Sequence, residues 1–141
     1  MYRIKIFSIG KTKENWLLEA ILEYEKRLKA IMPIEWIFAK NNEQLRLFLE
    51  KETSFIALIP SSKEYSSEQF AQNLYLWLER FGSRLSFVIG GAEGIPSELE
   101  EKAFQKVSLS KLTFTHQIAR LILMEQIYRA TEIHKGSEYH K

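Results

Sequence analysis

The chain has 141 residues, of which 45% are apolar and 13% aromatic, a composition typical of one globular domain with a single hydrophobic core. The absence of cysteine excludes disulfides and thiolate chemistry, and the lack of a long apolar run or a signal-peptide pattern predicts a cytoplasmic protein without a membrane span. The formal net charge is only +2, but residues 102–141 carry seven Lys/Arg against three Glu, an excess that suits either a phosphate-backbone partner or a solvated helix face.

The first 89 residues alternate between short apolar runs and amphipathic segments. Four runs predict strands, at Tyr2–Ile9, Ile34–Phe38, Phe55–Ile59 and Leu85–Ile89. The three segments between them have apolar residues at helical spacing: the first stops before Pro33, the second starts at Asn41 or Asn42, and the third is capped by Ser66 or Ser67. We expect Pro60 to end the third strand, because proline cannot donate to a strand ladder.

The last third begins with a short helix near Pro96, whose Glu98, Glu100 and Glu101 suit a positive helix end, and a short strand at Val107–Leu109. Strands separated by helical patterns predict an α/β fold, with a mostly parallel sheet and helices on both faces. We find no repeat or linker, and therefore expect a single domain spanning residues 1–141.

The final helix is apolar on nearly every side across Ile118–Tyr128. Such a helix must be buried on several sides, which is difficult in a chain of this size. We therefore expect a homodimer in which this helix supplies much of the interface. The alternative is a fully internal helix.

Two loops are candidates for ligand binding: Gly90–Gly94, directly after a strand, and Ser108–Thr113, directly before the final helix. Both follow the carboxyl ends of predicted strands, where open α/β sheets bind ligands, and glycines let the backbone approach closely. The glycines match neither the dinucleotide fingerprint nor a P-loop, and alone they fit a plain turn. Together the loops predict a nucleotide-like cofactor site made from Gly90–Gly94 and Leu109–Phe114.

The same segments resemble the ribosomal large subunit methyltransferase H family. The resemblance covers the whole chain and rests on Phe87–Gly94, on Ser108-x-Ser110-x-x-Thr113-x-x-His116-x-x-x-Arg120, on Glu125-Gln126-x-Tyr128-Arg129-Ala130 and on the terminal Tyr139-His140. That family belongs to the SPOUT class of RNA methyltransferases, which use S-adenosylmethionine. The resemblance therefore implies a SPOUT-type carboxyl-terminal trefoil knot, and it implies that cofactor.

The family's cofactor pocket, carried over position by position, falls on three parts of the chain. It comprises Leu58, the glycine pair Gly90 and Gly91, and the loop residues Leu109, Ser110, Lys111, Leu112, Thr113 and Phe114. The resemblance implies that the leucines flank the adenine and that the glycines lie near the ribose and methionyl portion. Two departures stand out: Ile59–Ser62 lacks the family's Asp and Gly, and Thr115 replaces a proline.

The resemblance implies methylation at N3 of the pseudouridine at nucleotide 1915 of 23S ribosomal RNA, in assembled ribosomes. The ring nitrogen carries a proton that must be removed, and the candidate groups are His140, Tyr139, Arg129 and Glu93. Our hypothesis is that Tyr139 and His140 complete the active site, with Arg129 and Arg120 holding phosphate or the base anion. For a terminal histidine alone, an exposed and idle side chain is the alternative.

The other histidines suggest no further chemistry. We expect His116 to be a neutral structural residue and His134 to face solvent, and the histidines have no metal-ligand spacing. Two alternative functions remain: a SPOUT methyltransferase acting on transfer RNA, and a non-catalytic ribosome-binding assembly factor. The altered Ile59–Ser62 loop keeps the second of these open.

Overall fold

The computed structural model describes residues 1–141 as one five-stranded sheet with five helices. Every strand pair is parallel, and the strand order is β2-β1-β4-β3-β5. The predicted α/β class with a mostly parallel sheet is confirmed. The elements, in chain order, are β1 (Arg3–Ile9), α1 (Asn15–Leu28), β2 (Ile34–Ala39), α2 (Asn42–Leu49), β3 (Ile56–Glu64), α3 (Ser67–Arg80), β4 (Arg84–Ile89), α4 (Ser97–Lys102), β5 (Gln105–Ser108) and α5 (His116–Lys135).

Helices cover both faces of the sheet, but unequally. The larger core lies under α1, α3 and α5, where Ile4 and Ile6 of β1 meet Leu17, Leu74 and Leu123. The smaller core lies under α2 and α4 and includes the alternate residue Phe7. Successive strand residues point to opposite faces of the sheet. A strand that contributes to both cores is therefore apolar at nearly every position.

The helix starts follow the predicted capping chemistry. The Asn41 side chain accepts a hydrogen bond from the Gln44 amide, and Ser66 and Gln69 form a reciprocal capping box. Each such cap satisfies a backbone donor that the helix itself leaves without a partner. Both caps agree with the helix starts predicted from the sequence.

The prediction that β3 ends at Pro60 is wrong, because the strand continues to Glu64. Its ladder to β5 is interrupted: Leu58 and Lys63 both pair with Val107, so the residues between them form a bulge. Pro60 lies inside this bulge, where no ladder hydrogen bond is required of it. Ser61, next to it, has a left-handed backbone with φ of 65°.

The long helix α5 begins at the cap residue Thr115 and ends at Gly136, whose φ of 78° is a normal helix-ending conformation. It packs against α1 and α3. Leu123, Met124 and Ile127 are fully buried, whereas Ile118 and other apolar residues stay partly exposed. A single chain therefore does not bury α5 on all sides. Neither this helix nor any other combines the length and apolar character that crossing a bilayer requires.

Ser61 provides a direct test of strain in the altered loop. Ser61→Gly should raise the free energy of unfolding by about 1 kcal/mol, since a Cβ is disfavoured at positive φ. Ser61→Ala is the matched control, because it also loses the hydroxyl but keeps the Cβ. Urea unfolding of the two variants measures the difference, and equal stabilities would contradict the assignment of strain.

Candidate active site

A cavity of about 740 Å³ lies at the carboxyl edge of the sheet. It is bounded by the ends of three neighbouring strands and the loops that follow them. The residues that face it include Leu58 and Pro60 within β3, Gly90–Ala92, Gly94 and Ile95 after β4, and Val107–Ser110 and Leu112–Gln117 from the end of β5 to the start of α5. This is the edge at which open parallel sheets bind small ligands.

The glycine loop folds back on itself, and Gly90 makes this possible. A Cβ on Gly90 would come within 2.7 Å of the Gly94 carbonyl carbon and of the Ile95 nitrogen. Gly91 and Gly94 form a backbone bridge, with the Gly94 N–H donating to the Gly91 carbonyl at 2.9 Å. The loop therefore presents backbone to the cavity where any larger residue would push it open.

The second loop is shaped by its own serine and threonine side chains. Ser108 Oγ donates to the Ser110 carbonyl at 2.9 Å, and Ser110 Oγ accepts from the Leu112 amide at 3.0 Å. Thr115 Oγ1 then accepts from the Ile118 amide and starts α5. These local bonds turn the chain around the cavity and leave Leu112 exposed at its rim, with 74% of its surface accessible.

The cavity is mostly apolar and carries little charge. Glu100 is the one carboxylate among the lining residues, and no lysine or arginine is among them. Burial, with smaller contributions from the Arg120 and Lys13 cations, lowers the pKa of His116 below its ordinary value. His116 is therefore neutral at pH 7, as expected for a structural residue.

Arg120 lies behind this cavity and is completely buried, with 0% of its surface accessible. Its Nη2 donates to the carbonyls of Ile9 and Gly10, both at 2.7 Å, and Nη1 donates to Thr12 Oγ1 at 3.0 Å. The guanidinium also lies 5.2 Å from the Phe38 ring centroid. The expectation that Arg120 holds phosphate or a base anion is wrong, because its donors are directed into the protein and nothing outside can reach them.

Burial lowers the pKa of Arg120 to about 10, so the side chain remains a cation at neutral pH. Its role is to tie the loop after β1 to α5. Gln117 adds to the same link: its Nε2 donates to the Lys11 carbonyl, and its Oε1 accepts from the Lys13 amide. The start of α5, which lines the cavity, is thus fixed relative to β1.

Most of the residues proposed for cofactor binding lie around this one cavity. They are Leu58, Gly90, Gly91, Leu109, Ser110, Leu112, Thr113 and Phe114. Lys111 is exposed and does not line it. Glu93, a candidate for proton removal, is also exposed and outside the lining. Sequence reasoning missed Ile95 and Glu100, which carry no motif of their own.

The proposed catalytic residues form a second cluster, away from the cavity of the same chain. Tyr139 Oη donates to Glu125 Oε2 at 2.8 Å, and Arg129 is paired with the same carboxylate at 2.9 Å. His140 Nδ1 lies 3.0 Å from Arg129 Nη1, and His140 Nε2 lies 3.3 Å from Glu68 Oε2. The structure thus brings Arg129, Tyr139 and His140 together, but none of them lines the cavity.

Glu125 organises this cluster, although sequence reasoning gave it no role. Its four-residue spacing from Arg129 on a helix was the signal that could have identified it. Burial, followed by the hydrogen bond to Glu125, raises the pKa of Tyr139 well above its usual range. The hydrogen bonds that Arg129 donates to Glu125 likewise raise the pKa of Arg129. Tyr139 is therefore a protonated hydrogen-bond donor at neutral pH.

Comparison with known proteins gives matches over nearly the whole chain. The family model described as "Predicted SPOUT methyltransferase" matches residues 2–140. A protein of Protochlamydia amoebophila (strain UWE25) named "Ribosomal RNA large subunit methyltransferase H" is 54% identical over 141 residues, covering 100% of both chains. A relative of the same name from Bacillus cytotoxicus is 38% identical over 157 aligned positions, covering 98% of this chain and 99% of its own.

Solved structures share the fold at low sequence identity. A probable methylase family protein from Haemophilus influenzae Rd KW20 superposes with a TM-score of 0.62 and 8% identity, covering 99% of this chain and 70% of its own. A candidate methyltransferase from Legionella pneumophila, in complex with the bound cofactor SAM, gives a TM-score of 0.50 and 12% identity, covering 92% and 66%. These two structures show the fold alone.

The parallel sheet, the cavity at its carboxyl edge and the matching family model define the class as a SPOUT methyltransferase. Within that class, the full-length relatives at 54% and 38% identity identify the particular family. The chain belongs to the ribosomal large subunit methyltransferase H family.

Arg120 yields a stability prediction. Arg120→Met retains much of the apolar volume but leaves the Ile9 and Gly10 carbonyls without their donor, and we expect a loss of about 3 kcal/mol in the free energy of unfolding. Arg46→Met is the control, because Arg46 pairs with Glu43 and Glu98 at the surface and should matter little. Denaturant unfolding of both variants provides the comparison. A stable Arg120→Met variant would contradict the structural role.

Proposed function

We propose that this protein transfers a methyl group from S-adenosylmethionine to N3 of the pseudouridine at nucleotide 1915 of 23S ribosomal RNA. The single observation that supports cofactor use is the apolar cavity built from the two loops after β4 and β5. The naming of full-length relatives as ribosomal RNA large subunit methyltransferases supports the substrate class. We further propose that residues 1–141 act as one SPOUT domain, with the knotted carboxyl-terminal part that the family resemblance implies.

The residues around the cavity fit this cofactor. Leu58, Leu109 and Leu112 offer apolar surface to an adenine, and the backbone of Gly90 and Gly91 offers polar groups without side chains. A cavity with one carboxylate and no cation suits a ligand that carries a sulfonium charge. The bound cofactor supplies the electrophilic methyl group, and the protein supplies position and proton transfer.

The exposed side of α5 supports a homodimer. Ile118, Leu121 and Ile122 share one face of the helix with Glu125 and Arg129, because these positions recur at helical spacing, and all five are partly exposed. The adjacent helix α1 exposes Trp16, with 57% of its surface accessible. Contact between two copies of this face would bury the apolar residues that one chain leaves exposed.

The same face explains why the catalytic cluster is separated from the cavity of its own chain. Arg129 lies thirteen positions after His116, which is at the cavity, and this corresponds to about 20 Å along the helix at 1.5 Å per residue. Two antiparallel copies of α5 would place the Arg129 end of one helix beside the cavity end of the other. We propose that each active site combines the cofactor cavity of one protomer with Arg129, Tyr139 and His140 of its partner.

In that arrangement the tail residues have distinct roles. Tyr139 donates its single hydroxyl proton to Glu125, so its oxygen can accept a hydrogen bond that orients the base but cannot remove the N3 proton at neutral pH. His140 Nδ1 accepts a hydrogen bond from Arg129, which leaves its other nitrogen protonated toward Glu68. When the base displaces this contact, Nδ1 can accept the N3 proton, and the released Nη1 of Arg129 can donate to the base anion while the rest of the guanidinium stays paired with Glu125.

The test is methyl transfer to ribosomes that lack this modification. Purified protein is incubated with S-adenosylmethionine carrying a labelled methyl group, and the label is mapped by nuclease digestion and mass spectrometry. We expect one labelled pseudouridine, at nucleotide 1915. Label on transfer RNA instead would contradict the substrate, and no transfer to any RNA would favour an assembly factor.

Removal of residues 139–141 provides a test of the tail. We expect turnover on ribosomes to fall by at least about 100-fold, which is the usual contribution of a positioned acid–base group. Cofactor binding should be retained, because the loops that form the cavity lie outside the removed residues. Removal of Lys141 alone is the control and should leave turnover near the wild-type value. Full turnover without residues 139–141 would exclude the tail from catalysis.

A further inference from the structure

A second cavity, of about 430 Å³, lies at the amino edge of the sheet. Arg3 and Lys5 at the start of β1 and Arg84 and Ser86 at the start of β4 line it, together with residues 51–54 after α2. A seven-residue strand is about 23 Å long at 3.3 Å per residue, so this cavity is separated from the cofactor cavity by roughly the length of the sheet. Nothing in the methyl-transfer reaction uses it.

The cavity exists because the helices on this side of the sheet are short. The eight residues of α2 and the six of α4 cover Phe7 and Val88 on the carboxyl half of the sheet. Residues two and four positions earlier on β1, Lys5 and Arg3, point to the same face but have no helix above them. The pattern on this face of β1 changes from charged to apolar where the helix cover begins.

Arg3 and Arg84 are direct neighbours across the β1–β4 ladder. Neighbouring strands lie about 4.8 Å apart, and like charges placed directly opposite each other destabilise a sheet. Both arginines are exposed, and neither has a carboxylate partner or a side-chain hydrogen bond. The fold thus holds two cations side by side without compensation.

The next row of the same face shows a contrasting arrangement. Lys5 pairs with Glu52 at 3.2 Å, and Ser86 Oγ donates to the other oxygen of that carboxylate at 2.8 Å. In this row Glu52 neutralises the charge of Lys5, and the Lys5 and Ser86 side chains both donate to its carboxylate. Lys51, also exposed, adds a third cation to the arginine pair, against the single remaining carboxylate of Glu35. The unpaired charge of the cavity is therefore positive.

We propose that this cavity binds the phosphodiester backbone of the RNA substrate, at a second contact away from the methylated base. The inference rests on the proposed function, because it needs an RNA partner. Two adjacent guanidinium groups present several donors to phosphate oxygens and would be relieved of mutual repulsion by one bound phosphate. The exposed arginines form an open cleft along which a polymer can continue, and the donor best placed to close around a small ion, Ser86, is already used by Glu52.

The test compares the double variant Arg3→Gln/Arg84→Gln with the charge-retaining Arg3→Lys/Arg84→Lys. Ribosome binding is measured over a range of salt concentrations, and KM and kcat for methyl transfer are measured alongside. We expect the glutamine variant to bind ribosomes about tenfold more weakly, with a salt slope shallower by about 1. KM should rise with kcat unchanged, and the lysine variant should stay close to wild type.

Two further measurements keep the outcome unambiguous. Thermal unfolding should show the glutamine variant at least as stable as wild type, because it removes repulsion between cations. Inorganic phosphate, titrated into the wild-type protein and followed by NMR, should bind only weakly. Tight phosphate binding that the glutamine variant loses while its ribosome affinity stays unchanged would identify a small-anion site and overturn the RNA contact.

Failure of this proposal is distinguishable from failure of the proposed function. A wild-type protein that binds and methylates ribosomes, with a glutamine variant of equal affinity and salt slope, would overturn the second contact alone. A wild-type protein that neither binds nor methylates ribosomes would overturn both.

Discussion

The arrangement of the cofactor cavity depends on a buried cation without a carboxylate partner. The guanidinium of Arg120 has lost its water, and two backbone carbonyls, one hydroxyl and the Phe38 ring compensate for part of this loss, while its Nε has no partner. These contacts fix α5 to the carboxyl end of β1. Because α5 also supplies one wall of the cavity and carries Arg129, this interaction sets the positions of both halves of the proposed site.

The two edges of the sheet differ in charge: the carboxyl edge is nearly uncharged, and the amino edge is positive. At the carboxyl edge the lining is apolar, with backbone groups and one carboxylate, which suits a small cofactor with a sulfonium charge. At the amino edge an uncompensated arginine pair suits an anionic polymer. Long helices cover one face of the sheet, whereas the shorter α2 and α4 leave part of the other face open. The short length of α2 and α4 therefore determines where the second cavity lies.

Much of the fold could be predicted from the sequence, because local signals specify local structure. Periodic apolar residues located the strands and helices, and Asn41 and Ser66 marked two helix starts. The continuation of β3 past Pro60 could not be predicted, since the bulge depends on pairing with β5. The burial of Arg120 was missed for the same reason: its partners lie 108 to 111 residues away in the chain, and no local pattern reports such contacts. The tail residues were identified by resemblance, but their distance from the cavity of the same chain became visible only in three dimensions.

We propose that the cavity at the carboxyl edge binds S-adenosylmethionine despite the altered Ile59–Ser62 loop. Calorimetric titration of the purified protein with this cofactor tests it most directly. We expect binding in the micromolar range, because the loops after β4 and β5 form most of a cavity lined by apolar side chains and backbone groups. No detectable heat of binding at millimolar cofactor, with the protein shown to be folded, would contradict it.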